Sequence, residues 1–342
     1  MMKSECILSI TIPTFNRANY LKLNLEQLLS ELKDIDPALV EIVVSDNASS
    51  DNTEEVAKSF IGKLQNYRYI RNAENIGSDK NIAQCYSIAN GTYVVALGDD
   101  DLLINGAVKW IINEVKRNTY GVICIRPFGY DNDFINECPP SFGHSVSFKD
   151  TAKFLSKIGP LAALISACVI NKSLLTDVDP YKFCGCSLVQ VHLVILAAKK
   201  ASLNLYSKKY FIAYKRNNWG HYDFSNVFVH ELGKILDSYR PFLGAEAIKR
   251  YEKKLLLSYF PQYILKDRVK NHNISSVKKR FSERYSKNIW YYLSVYPILF
   301  WPKYIAIAWG AIVSLIGRLI NGDGVRIFYF LMKNTSLTLK RQ

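Results

Sequence analysis

"YRYIRNAENIGSDKNIAQCYSIANGTYVVALGDDD" (residues 67–101) reads in succession as strand (67–72), loop, helix (78–89), strand (92–97) and acidic turn (98–101). Two β-rich runs joined through a helix argue for parallel pairing, because the helix carries the chain back across the sheet before the next strand begins. The residues before this unit repeat the alternation. "CILSITIP" (6–13) reads as a buried strand ended by Pro13, and "VEIVVSD" (40–46) as a second strand. Between them, "NYLKLNLEQLLSEL" (19–32) puts Leu21, Leu25, Leu28, Leu29 and Leu32 on one helical face. "SSDNTEEVAKSFIGKL" (49–64) opens with capping residues and first-turn acids, which predicts a helix there. The expected fold class is α/β, with a mostly parallel sheet flanked by helices.

Toward the C-terminus the pattern predicts a helix near 105–117, a strand at 121–126, an irregular stretch over 127–147, a helix at 149–157, an apolar run at 161–170 and a helix at 187–200. From about 225 it turns helical and basic. "YEKKLLLSYFPQYILKDRVK" (251–270) and "SVKKRFSERYSKNIWYYLSVYPILFWP" (276–302) mix Lys and Arg with aromatic and aliphatic residues. The expected organisation is an α/β domain over 1–224, divided into halves 1–110 and 111–224, followed by a basic helical region over 225–342.

Charge is uneven along the chain as well, with its step near residue 198. Residues 1–198 carry 18 Lys/Arg against 22 Asp/Glu, and residues 199–342 carry 26 against 8, so the net charge of +14 belongs to the second part. An anionic partner is expected for that part. Within it, "YIAIAWGAIVSLIG" (304–317) is uncharged between Lys303 and Arg318, shorter than the roughly twenty residues a spanning helix needs. Its basic flanks and Trp290, Trp301 and Trp309 favour lying on an anionic membrane surface over a core helix or a span. Aromatics among basic residues also stack on single-stranded nucleic acid, but no nucleic-acid-binding motif accompanies them and none is expected as a partner. Met1–Ser9 lacks the apolar core of a signal peptide. The seven cysteines have no zinc spacing and suit free thiols in a reducing compartment, so a cytoplasmic location is expected.

Ligands of a parallel α/β sheet collect at the carboxyl ends of its strands. Those ends carry "PTFNR" (13–17), "SDNASSDNT" (45–53), "RNAENIGSDKN" (71–81) and "GDDD" (98–101). One edge thus gathers Asp46, Asp99, Asp100 and Asp101, the amides of Asn16, Asn47, Asn75 and Asn81, the cations Arg17, Arg71 and Lys80, and Gly77. Adjacent acids repel and resist burial. A hard cation, Mn²⁺ or Mg²⁺, offsets that cost when it bridges carboxylates and substrate phosphates. Neither a P-loop nor a G-x-G-x-x-G follows the first strand, which disfavours those nucleotide folds. Nucleotidyl transfer to sugar phosphates shares the acid pair and metal but wants a Gly-rich loop that "PTFNRANY" lacks. A non-enzymatic nucleic-acid-binding role for the basic half is the other alternative.

"LSITIPTFNRANYL", "EIVVSDNASSDNTEEV" and "ENIGSDKNIAQCYSIANGTYVVALGDDDLLINGAV" resemble the family 2 glycosyltransferases of the nucleotide-sugar-binding GT-A fold, and most of all the bacterial abequosyltransferase-like subgroup that builds O-antigen and other surface polysaccharides. The resemblance spans about residues 6–110. It implies that Pro13, Thr14, Phe15, Asn16 and Asp46 hold the nucleotide, with Arg17, Asn47, Asn75, Gly77 and Asp99 around it and the Lys80 region at the diphosphate. It implies that Asp99, Asp100 and Asp101 form the Mn²⁺ or Mg²⁺ site. The usual motif is Asp-x-Asp-Asp. Here Gly98 takes the first place, which shifts the weight to Asp100, with Asp99 and Asp101 supporting it.

Inverting members carry an acid pair farther on, and "FCGCSLVQVHLVIL" (183–196) has no acid, leaving His192 as a candidate base. The loop "KRNNWGHYDFSN" (215–226) offers Arg216, Asn217, Trp219, His221 and Asp223 to a sugar acceptor, with Asp223 an alternative base. The expected reaction moves a sugar from a nucleoside diphosphate sugar to a glycan or polyprenyl-diphosphate-linked oligosaccharide. The enzyme would be peripheral at the inner face of the cytoplasmic membrane.

Overall fold

The computed structural model describes residues 6–141, 143–216, 218, 223–270 and 272–320. The chain divides into two compact units, Met1–His221 and Tyr222–Gln342.

The first unit is built on a nine-stranded sheet. Its strands are β1 (Leu8–Thr14), β2 (Val40–Asp46), β3 (Tyr67–Arg71), β4 (Tyr93–Ala96), β5 (Asp101–Leu103), β6 (Val122–Tyr130), β7 (Val146–Phe148), β8 (Cys168–Asn171) and β9 (Asn204–Lys215). They lie in the order β3-β2-β1-β4-β8-β6-β9-β5, with β7 also on β9. The part β3-β2-β1-β4 is wholly parallel. β8 runs antiparallel to both β4 and β6, β6 and β9 are parallel, and β5 and β7 pair antiparallel with β9. Every residue of β2 and β4 is buried, which explains why neither sequence alternates regularly between apolar and polar residues, Glu41, Ser45 and Asp46 being buried polar members of β2.

Helices α1 (Ala18–Leu32), α2 (Thr53–Lys58), α3 (Ser78–Ile88), α4 (Ala107–Arg117), α5 (Thr151–Ile158) and α6 (Val189–Lys200) accompany the sheet. Leu21, Leu25 and Leu28 of α1 join Ile10, Ile12, Val44 and Val95 in one core. Three expectations change in detail. The helix expected over 49–64 ends at Lys58, because Gly62 turns the chain with φ 82° and Phe60 and Leu64 turn inward. The stretch 127–147 is irregular only in part, since β6 continues to Tyr130 and β7 begins at Val146. The apolar run 161–170 forms short 3₁₀ turns that lead into β8.

The second unit is helical. It contains α7 (Leu232–Ser238), α8 (Arg240–Leu243), α9 (Ala245–Lys254), α10 (Phe260–Val269), α11 (Ser275–Tyr285), α12 (Ile289–Phe300) and α13 (Lys303–Ile320), with wider π-helical turns at Asn226–Glu231 and Leu255–Tyr259. Its core is aromatic. Phe260, Phe281, Tyr285 and Tyr291 are fully buried, and Phe260 meets Phe281 edge to face at 5.0 Å between centroids. Arg284 of α11 pairs with Asp237 of α7 and, at 2.7 Å, with Glu252 of α9, tying three helices together. The apolar segment of α13 is long and apolar enough to cross a membrane, with a mean hydropathy of 1.5, yet only 22% of it is buried within the unit.

Candidate active site

Register brings the strand ends together. Thr14 stands beside Asp46 and Asp46 beside Arg71, while β4, level with Thr11 at Ala96, leads on through Leu97 to the acidic turn. The loops after four parallel strands therefore meet at one edge.

The three acids of the turn have different surroundings. Asp99 is 5% exposed, accepts a hydrogen bond from Thr14 Oγ1 at 2.8 Å and lies 2.9 Å from Arg17 Nε. Burial pushes its pKa up to about 7, Arg17 opposes that and Asp100 adds to it. Asp101 begins β5 with its backbone paired to Tyr214, and its carboxylate accepts the Ser166 hydroxyl proton. Burial raises its pKa well above the ordinary carboxylate range, and Asp100 reinforces the shift. Asp100 is the outward acid. Its Oδ2 meets Arg17 Nη2 at 2.9 Å and Asn218 Nδ2 at 2.6 Å, and its side chain keeps 19% exposure. The Arg17 Nε and Nη2 atoms approach these oxygens without hydrogen-bond alignment, so the guanidinium acts as a cation between two carboxylates.

The turn is also held from behind. Asn24 of α1 donates its amide to Gly98 O at 3.1 Å and to Asp101 O at 2.6 Å. Ser166 Oγ accepts the Gly98 N–H at 2.9 Å while donating to Asp101. Sequence reasoning passed over both residues. Asn24 had a readable mark, a polar side chain on the buried stripe of Leu21, Leu25 and Leu28. Ser166 had none, since its partner is 65 residues away.

The loops after β1, β2 and β3 form one hydrogen-bonded frame. Asn16, at φ 54°, accepts from Ser50 N at 2.7 Å and its own N–H reaches Ser49 Oγ at 2.9 Å. Asn47 N donates to Thr14 O at 2.9 Å, and Asn47 Nδ2 to Asn75 Oδ1 at 2.8 Å, which in turn accepts the Gly77 N–H at 2.9 Å. Asn81 exchanges hydrogen bonds with Ser45. Gly77, at φ 85°, makes the entry to α3, and Lys80 is exposed in that helix's first turn. Pro13 is half-buried, and Phe15 stands 40% exposed at the rim.

Asp46 departs from expectation. It is fully buried, with Oδ1 accepting Ser49 N and Oγ at 2.9 and 2.5 Å and Oδ2 accepting Tyr69 OH at 2.7 Å. In this arrangement it shapes the 47–50 loop and offers no open oxygen to a nucleotide.

The described acceptor candidates have structural partners of their own. His192 stacks on Phe183 at 4.2 Å, and burial lowers its pKa to about 4, which leaves it a weak base. Arg216 pairs with Asp131 at 2.5 Å and Glu137 at 3.2 Å. Asp223 belongs to the second unit, where it accepts from Ser225 Oγ and Asn226 N and pairs with Arg280 at 2.6 Å. Burial opposes but does not outweigh these contacts, which hold its pKa below the usual range, the opposite of what a base at neutral pH needs. Asn217, Trp219 and His221 lie outside the described residues. The acid-free 183–196 stretch does receive a carboxylate, because Asp79 of α3 accepts Gly185 N at 2.6 Å and Ser187 N at 2.9 Å.

Among the described residues no group of three or more His, Cys, Asp or Glu could hold a metal ion. The site does not fit a metal caged by protein alone. It does fit a hard divalent ion shared with substrate phosphates, which needs only one or two carboxylates. Asp100 has the outward oxygen for this and Asp99 stands beside it.

Residues 9–175 match the glycosyl transferase family 2 model. The chain carries a family 2 glycosyltransferase domain. Among similar proteins, the abequosyltransferase RfbV of Salmonella typhimurium is 39% identical over 102 residues, 28% of this chain and 29% of its own length. The GalNAc(5)-diNAcBac-PP-undecaprenol beta-1,3-glucosyltransferase of Campylobacter jejuni is 31% identical over 126 residues, 36% of this chain and 40% of its own. The chain thus spans well under half the length of these curated relatives. In fold, the glycosyltransferase domain and its helical extension are similar to S. aureus TarS 1–349 in complex with UDP-GlcNAc, with a TM-score of 0.57 at 18% identity over 92% of both chains.

Proposed function

We propose that the protein transfers a sugar from a nucleoside diphosphate sugar to a glycan of a bacterial surface polysaccharide. The acceptor is a glycan or a polyprenyl-diphosphate-linked oligosaccharide, met at the cytoplasmic face of the membrane. The observation that carries the reading is the outward carboxylate of Asp100, held by Arg17 at the shared edge of four strands in a family 2 domain. The UDP-GlcNAc bound to TarS supports a nucleotide-sugar donor, and the undecaprenol in the name of the Campylobacter protein supports a lipid-linked acceptor.

In the reaction the bond between the anomeric carbon and the diphosphate oxygen breaks, and a bond from that carbon to the acceptor oxygen forms. Mn²⁺ or Mg²⁺, when bound, supplies Lewis-acid stabilisation of the leaving diphosphate. Arg17 and Lys80 add positive charge at the same edge, and Phe15 offers a flat apolar surface to the base. Thr14, Asn24 and Ser166 hold the turn that carries Asp100, Arg17 and Asn218 hold its carboxylate, and preorganisation of this kind lowers the barrier without reorganisation during reaction.

The test is release of nucleoside diphosphate from UDP-, GDP-, CDP- and dTDP-sugars, with and without EDTA. Release from one donor class, lost on chelation and lowered by about a hundredfold or more in Asp100→Asn, is expected for loss of a main charge-stabilising group. Release from none of them, or release indifferent to both EDTA and Asp100→Asn, contradicts the reading.

A further inference from the structure

No acid occurs between Glu283 and Asp323, and that stretch contains α12 and α13. α13 is packed along one narrow seam of Ala306, Gly310, Val313 and Gly317. The glycines let backbones approach: a Cβ on Gly317 would lie 2.3 Å from Leu257 O, and one on Gly310 would lie 2.9 Å from Leu265 Cδ1. Most of the rest of the helix faces outward and, apart from Lys303, Ser314 and Arg318, is apolar. Tyr304 is 84% exposed, and Ile305, Ile312, Leu315, Ile316 and Leu319 are each about half exposed. A helix at a water-facing surface carries polar residues there, and exposed apolar patches of this extent mark a docking surface.

What surrounds the patch identifies the occupant. Along α12, Tyr292, Tyr296 and Phe300 stack in a ladder with centroids 5.3 and 4.6 Å apart, and Trp301 meets Trp309 at 5.8 Å. Cations sit on these rings and at the helix ends. Lys253 Nζ lies 3.8 Å from the Trp290 ring and Lys278 Nζ 5.2 Å from that of Phe300. Arg268 donates to Trp301 O at 2.7 Å, and Lys303 and Arg318 lie near the two ends of α13. Amphipathic rings and lysine stems around an apolar face match the boundary between lipid headgroups and acyl chains. A second copy of the chain would bring like charges together, since residues 223–320 carry 16 Lys/Arg against 7 Asp/Glu. An anionic bilayer complements them.

We infer that α12 and α13 dock on an anionic lipid bilayer lying in its plane, with the outward face of α13 in the interfacial layer. A crossing orientation is incompatible with the packing. The seam holds α13 along its length, and its neighbour α10 carries Lys266, Asp267 and Arg268, which hydrocarbon would not accommodate. The inference stands on the helical unit's surface and not on the sugar-transfer reading.

Flotation of the full chain tests it, using vesicles of phosphatidylcholine alone or with phosphatidylglycerol. Strong binding to the anionic vesicles, weakened by salt, is expected. An Ile312→Ser, Ile316→Ser double variant replaces exposed residues, so it should keep its circular dichroism and lose roughly tenfold or more in partitioning. Tryptophan emission should be quenched more by lipids brominated high on the acyl chain than by lipids brominated near its end. Binding to neither vesicle, equal binding to both, binding indifferent to the double variant, or deeper quenching near the chain end overturns the inference. So does a stable dimer that the double variant dissociates, because it assigns the face to a second copy. Nucleoside diphosphate release on sugar transfer to a soluble acceptor separates the two readings. Lost vesicle binding with release intact strikes the docking surface alone, and intact binding without release supports the docking surface while striking the sugar-transfer reading.

Discussion

Asn24 does two things at once on the buried stripe of α1. Its amide nitrogen ties both ends of the acidic turn, while its Oδ1 is buried without a hydrogen-bond partner. Such an unsatisfied atom costs stability, against which stand the two hydrogen bonds that the amide nitrogen makes to the turn. In Asn24→Ala the Gly98 and Asp101 carbonyls lose their donor. A stability loss of about 1–3 kcal/mol in urea unfolding is expected, with kcat falling and the apparent metal affinity weakening more than donor KM changes. Unchanged kcat and metal affinity would leave Asn24 a core residue only.

His192 gives a pH signature. Its folded pKa of about 4 lies below the ordinary value of 6.5, so the unfolded state binds the proton more readily between them. The stability this contributes is present above about pH 6.5 and lost as pH falls toward 4. His192→Gln should flatten that part of the Tm profile relative to the parent, and the difference between the two proteins isolates the histidine from the acidic turn. Parallel profiles would show that burial does not suppress its charge.

Among the elements, β1, β2 and β4 were readable because buried parallel strands leave largely apolar runs bounded by turn residues, and half-buried β3 was readable from its aromatic and β-branched residues. β9 was not. Lys208 and Lys209 interrupt its apolar pattern near the register shifts with β6, and strand reading depends on an unbroken pattern. β5 has three residues and exists through pairing with β9, so missing one hid the other. This is why Asp101 looked like part of an acidic loop when its backbone starts a strand and its carboxylate belongs to Ser166. α2 was overextended because capping residues announce a helix start but not its length. Its stop lies in Gly62, whose φ of 82° has open space around the missing Cβ. Gly62→Ala therefore tests backbone strain alone, and a loss of about 1 kcal/mol in unfolding free energy is expected. No loss would mean the turn relaxes out of the left-handed region.

At the scale of the whole molecule, charge and composition already set off a strongly basic helical part from a nearly neutral α/β part, because solvation and partners act on net charge without regard to fold detail. The strand-end loops were likewise readable as one site, since parallel topology alone brings them to one edge. Only the resemblance singled out Asp100 among the three adjacent aspartates. The physical reason it faces outward lies in Thr14, Arg17, Ser166 and Asn218, which take their places around the turn only in the fold.

The central claim is that this edge binds a nucleoside diphosphate through a divalent ion at Asp100. Isothermal titration of the full chain with UDP, GDP, CDP and dTDP, with and without Mn²⁺, measures it most directly. At least one nucleotide should bind, more strongly with Mn²⁺, and Asp100→Ala should lose that Mn²⁺ dependence while keeping the fold. Nucleotide binding that ignores Mn²⁺, or a Mn²⁺ dependence that survives Asp100→Ala, would contradict it.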